Sequence, residues 1–138
     1  MMTPTVTEIR EALATAIAAG GVRASAYFPE GVNAPVAIVE GPEADFNEDT
    51  MSDNYTFPIR ILVGDATQRS ASLTLDAMLS STGDTSVRRI IEAEDTLGGV
   101  VQYATVVGIR DYGTHVVQNV EYLGANLLVT VVAYKAMS

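Results

Sequence analysis

The sequence predicts an α+β domain: one mixed, mostly antiparallel sheet with helices packed on one face. Three observations carry that expectation. Residues 55–63 and 123–133 place apolar side chains at every second position, the period of a half-buried strand. Three other stretches repeat apolar residues at helical spacing. Strands also cluster towards both ends of the chain and do not alternate regularly with helices, which disfavours a parallel α/β sheet.

The first element is a helix. Thr5 followed by Glu8 forms a capping box, Val6, Ile9, Leu13, Ala16 and Ile17 make one apolar stripe, and Gly20-Gly21 stops the helix. Residues 25–28 read as a strand closed by Pro29, and residues 36–39 as a short buried strand. Residues 53–63 follow as a longer strand, with Tyr55, Phe57, Ile59, Ile61 and Val63 on one face. Pro58 has no N–H to give a ladder, so it marks an edge or a bulge. Asp65 is placed to cap a second helix with the stripe Ala71, Leu75, Met78 and Leu79. Ser86 caps a short third helix containing Val87, Ile90 and Ile91. Two long strands close the chain. Val101, Tyr103, Thr105, Val107 and Ile109 are expected on one face of the first, and Leu123, Ala125, Leu127, Val129, Val131 and Ala133 on one face of the second. Residues 111–119 are expected to be the loop between them. The order is helix, three strands, two helices, two strands.

A length of 138 residues fits one domain, 1–138, and 48% apolar residues supply a core. The formal net charge of −9 argues against phosphate-binding and anionic membrane surfaces, because nucleic-acid affinity rests on Lys and Arg. Seven of the eight basic residues are Arg, a bias that suits specific carboxylate pairing. The absence of Cys removes disulfides, thiolate metal sites and thiol catalysis. No signal-peptide core or membrane-length apolar run is visible, so a soluble cytosolic product is expected.

Residues 40–53 stand apart. They hold Glu40, Glu43, Asp45, Glu48, Asp49 and Asp53 with no basic residue, and read as a long acidic loop available for contacts. Asp45, Asn47 and Asp49 echo the start of a calcium loop, but Thr50 stands where glycine is needed and Thr56 where a bidentate carboxylate is needed. His115, the single His, lies beside Asp111 and Tyr112 in the expected 111–119 loop and reads as an interface residue; no GxSxG or HExxH accompanies it. Glu92, Glu94 and Asp95 read as exposed acids at a helix end. Arg88-Arg89 is the one basic doublet, and it has two readings: a salt bridge to Glu92 at helical spacing, or a contact to a neighbouring subunit's acidic segment. No catalytic residue, cofactor or metal site is expected.

The succession of these pieces resembles the tail terminator proteins of long-tailed bacteriophages, especially those of actinobacterial phages. The stretches that carry it are Thr-Glu-Ile-Arg-Glu-Ala-Leu at residues 7–13, Val-Arg-Ala-Ser-Ala-Tyr-Phe-Pro at 22–29, and Ala-Pro-Val-Ala-Ile-Val at 34–39 running into the acidic segment. Tyr-Thr-Phe-Pro-Ile-Arg-Ile-Leu-Val-Gly-Asp-Ala-Thr follows at 55–67, and Leu-Asp-Ala-Met-Leu at 75–79. Thr-Leu-Gly-Gly-Val-Val at 96–101 and Glu-Tyr-Leu-Gly at 121–124 complete the set. The resemblance implies a ring, usually a hexamer, at the head-proximal end of the tail tube. Such a ring ends tube polymerisation and offers the head-joining surface. Its partners would be copies of itself, the major tail tube protein and a head-completion or stopper protein, with DNA passing through the lumen unbound. The resemblance brings no catalytic residues. A different head–tail connector, such as a stopper, and a small ligand-binding or enzymatic α+β domain remain the alternatives. On the ring reading, the residues expected at interfaces are Glu43, Asp45, Glu48, Asp49, Arg88, Arg89, Asp111, Tyr112 and His115.

Overall fold

The computed structural model describes residues 4–46, 52–65 and 69–134. Among them the fold is α+β, three helices against one six-stranded, mostly antiparallel sheet. The elements run α1 (Val6–Ala19), β1 (Ala24–Ser25), β2 (Val36–Val39), β3 (Glu43–Phe46), β4 (Ser52–Asp65), α2 (Arg69–Leu79), α3 (Val87–Ala93), β5 (Tyr103–Val117) and β6 (Val120–Tyr134). The strand order is β1-β2-β4-β6-β5, with β3 beside β4 next to β2. Only the β1–β2 pair is parallel.

Local chemistry explains the helices. Thr5 Oγ1 accepts from Glu8 N–H at 3.0 Å while Glu8 Oε1 accepts from Thr5 N–H at 2.9 Å, so two orphan donors at the start of α1 are satisfied reciprocally. α1 buries Ile9, Leu13, Ala14 and Ile17; Val6, expected in the stripe, is exposed at its first turn. α2 buries Ala71, Leu75, Met78 and Leu79, and α3 buries Val87, Ile90 and Ile91, as their spacing requires. Ser86 is fully buried and caps α3: its hydroxyl accepts from Arg89 N–H at 3.1 Å and donates to the Ser80 carbonyl. Ser86→Ala removes both bonds and leaves that carbonyl without its donor. A loss of about 1–2 kcal/mol is expected, read as a fall in urea midpoint at unchanged m-value.

The helices cover one face of the sheet. Tyr55, Phe57, Ile59, Ile61 and Val63 of β4 and Leu123, Ala125, Leu127, Val129, Val131 and Ala133 of β6 point into the main core with them. A smaller cluster, Val36, Ile38, Leu62 and Val117 with Val32 and Tyr122, lies on the opposite face. Pro58 sits inside a strand paired on both sides. Its carbonyl accepts from Glu40 N–H at 2.8 Å just past the last β2–β4 pair, so the ladder bond its ring forfeits is the return bond to Glu40, at the end of that pairing.

The structure corrects several expectations. The strand expected at residues 25–28 is the two-residue β1. Asp65 ends β4; the stretch that joins it to α2, where its cap was expected, lies outside the described residues. The acidic 40–53 stretch holds β3 and the start of β4 in antiparallel pairing, and Asp53 is buried there. The expected 111–119 loop is strand: β5 and β6 form one hairpin joined at Gln118-Asn119, both with positive φ (52° and 64°), the two-residue turn whose twist matches the strands. The inward face of β5 also differs. Val101 is buried, but Tyr103, Val107 and Ile109 are exposed, and Ala104 and Val106 meet the core instead. A bulge between Val106 and Gly108 breaks the alternation that the sequence suggests.

Candidate assembly surface

Among the described residues β5 is the edge of the sheet, and along its 15 residues it pairs with β6 on one side only. Proteins usually blunt such edges, because a row of unpaired N–H and C=O groups invites another strand. Here the side chains add to the invitation. Of the exposed large apolar residues, six lie on this hairpin: Tyr103, Val107 (58% exposed), Ile109, Tyr112, Val116 (64%) and Val120. In the distal half Val117 packs into the small cluster on the face away from the helices, and two hydrogen bonds tether the rest among the described residues. Tyr112 donates to Asp76 Oδ1 at 2.7 Å, and Gln118 Nε2 donates to the Glu30 carbonyl at 2.9 Å. The hydrogen bond to Asp76, then partial burial and the nearby carboxylate charge, push the Tyr112 hydroxyl above its ordinary pKa.

The face turned away from the helices carries a polar strip. Arg60 pairs with Glu40 at 3.3 Å, and Asn126, opposite Arg60 in register, donates to Asp111 Oδ2 at 3.1 Å. Arg60 Nε and Asn126 Oδ1 are buried without hydrogen-bond partners. His115 Nε2 lies 2.8 Å from the Asp111 carbonyl oxygen, and its ring packs across Gly124, the glycine opposite Leu62. Asp111 has φ +58° within the second bulge of β5, between Arg110 and Gly113. Asp111 and His115 therefore come together on this strip, while Tyr112 faces α2.

The other expected interface residues are spread out. Glu43 is exposed on β3, and Asp45 is on the same strand opposite Asn54; Glu48 and Asp49 lie outside the described residues. Asp53, from the same acidic stretch, turns inward, where burial and then its charge raise the pKa of Tyr55. Arg88 makes the helical pair with Glu92 at 3.3 Å. Arg89 donates to the Gly83 carbonyl at 2.7 Å and the Asp84 carbonyl at 3.3 Å, bracing the turn between α2 and α3. Both guanidinium groups thus have partners within the subunit.

Sequence reasoning missed Val107, Ile109, Val116 and Val120 as surface residues, and it missed Arg110 altogether. The apolar alternation that pointed Val107 and Ile109 inward was a real strand signal, but it says nothing of where the helices stop. A shallow groove of about 500 Å³ lies between α1 and the 97–100 turn, with Ala12, Ala16, Leu97 and Val100 on its apolar walls. Its acids are engaged locally, Glu8 in the capping box and Glu94 Oε1 as acceptor for Gly98 N–H. Among the described residues no group of three His, Cys, Asp or Glu side chains is placed to hold a metal ion, and no helix is long and apolar enough to cross a membrane. No protein-family profile and no curated protein sequence matches the chain.

Proposed function

We propose that this chain is a structural subunit that works by closing into a ring, as the tail terminator of a long-tailed bacteriophage. It would cap the head-proximal end of the tail tube and present the head-joining surface. The observation that carries this reading is the long, open β5 edge with the exposed apolar side chains of its hairpin. An isolated subunit gains nothing from exposing it, whereas a partner strand or face buries it. The sequence resemblance supplies the kind of assembly, and the net charge of −9 suits a lumen through which DNA slides without being held. The partners on this reading are other copies of the chain, the tail tube protein and a head-completion protein.

Mass measurement in solution with negative-stain electron microscopy tests it, on the chain alone and co-expressed with the tube protein of the same genome. Closed rings, six-fold on this reading, are expected free or seated on one end of each tube, and tubes should stop growing when the chain is in excess. A chain that stays monomeric under both conditions and leaves tube length unchanged overturns the proposal.

A further inference from the structure

The two edges of the sheet are matched to each other. The steps β5–β6, β6–β4 and β4–β3 are all antiparallel, so β3 runs opposite to β5. They also share rows. Glu43, Thr56, Thr130 and Thr105 lie in one line across the sheet, and Asp45, Asn54, Val132 and Tyr103 in the next. A second copy shifted sideways by one sheet width therefore brings its β3 alongside β5 in the antiparallel sense, and the alternation continues without a break.

The charges agree. Glu43 is exposed on β3 and makes no ion pair among the described residues. Arg110 is exposed on β5, and among the described residues its guanidinium donates to the carbonyl of its neighbour Ile109. Its guanidinium folds back over Gly108, 3.3 Å from where a Cβ would stand. With rows preserved, an incoming Glu43 sits beside Thr105, one row (about 7 Å) from that guanidinium. β1 occupies the neighbouring column from the row of Arg110 onward, so the added pairing is confined to residues 103–108 of β5. The second bulge, between Arg110 and Gly113, follows that point, so the rest of the hairpin need not continue in line with the added strand.

We infer that copies of this chain join head to tail by adding β3 of one subunit to residues 103–108 of β5 of the next, with Glu43 and Arg110 meeting across the junction. The inference rests on the ring reading and specifies its joint. A heterologous contact of this kind closes into a ring when the rotation per step allows it. One obstacle guards the edge. Glu92 Oε2 accepts from Thr105 Oγ1 at 3.2 Å and from Val106 N–H at 3.4 Å, so the incoming strand must displace that carboxylate.

Because the chain has no Cys, introduced pairs report unambiguously. Within one subunit Glu43 and Thr105 are three strand spacings apart, about 14 Å, too far for a disulfide. Glu43→Cys is combined in turn with Tyr103→Cys, Thr105→Cys and Gly108→Cys, and each is oxidised at concentrations where the parent assembles. A ladder of covalent multimers from at least one combination, absent from the single variants, is expected. Glu43→Arg, a change at an exposed position, should weaken assembly about tenfold, and Arg110→Glu in the same chain should restore it. Rings that form normally in all variants, with no ladder and no effect of charge reversal, overturn this junction and leave the ring reading standing. A parent chain that never assembles overturns both.

Discussion

Leu13→Asp is expected to leave no folded subunit. Leu13 is fully enclosed in the main core with Ile9 and Ile17, where α1 packs on β1, β2 and α3. The substitution removes a buried side chain, worth about 2–5 kcal/mol when cut back to Ala. It also puts a carboxylate where the neighbouring core side chains offer no partner, a further cost of several kcal/mol. The sum rivals the roughly 5–15 kcal/mol by which domains are stable. Circular dichroism with thermal melting checks this, with Glu11→Gln on the exposed side of the same helix as the comparison. A wild-type melting curve for Leu13→Asp would mean that α1 does not close the core.

Gly124→Val is expected to have the next largest effect, for a different reason. Gly124 lies in β6 opposite Leu62, and a Cβ there would stand 2.6 Å from the Ile61 carbonyl oxygen, 3.0 Å from Leu62 Cδ2 and 3.1 Å from His115 Cδ2. The nearest of these is backbone of β4 and cannot retreat without opening the ladder between β4 and β6. Even Ala should cost about 1–3 kcal/mol, and the branched Val more. Gly64→Ala in β4 is the matched control, since a Cβ at Gly64 meets nothing within 4 Å. Chemical denaturation should separate the two glycines. Equal midpoints would show that β4 can shift away from β6 at low cost.

The parts of the fold that the sequence displays are those where burial is one-sided and uninterrupted. The stripes of α2 and α3, the caps at Thr5 and Ser86, and the alternation along β4 and β6 all follow from a helix or strand facing one continuous core. The hairpin breaks that condition. Its first half bears a bulge, which changes the phase after Val106, and its second half meets only the small cluster through Val117, so polar Asp111, Thr114 and His115 read as loop while forming strand. β3 is hidden for a related reason. Acidic residues are poor strand formers, and Glu43 and Asp45 are held in extended form by pairing with β4, a partner that local sequence cannot announce. The candidate surface was legible only in part. Charge and the Arg bias point to contacts between chains, but Arg88 and Arg89 are occupied at home, and Arg110 stands in a stretch that gave no reason to single it out.

The place of β6 in the sheet has a bearing on how the chain is made. β6 lies between β4 and β5, yet it is the last of the described elements to leave the ribosome. Until it emerges, β4 lacks its main partner, some seventy residues downstream, and the apolar faces of α1, α2 and α3 have only half a sheet to rest on. Until then the apolar faces of those helices and of β4 lack the strand that completes their cover. The acidic surplus of −9 is spread over those waiting segments, and a net charge of that size opposes association between copies.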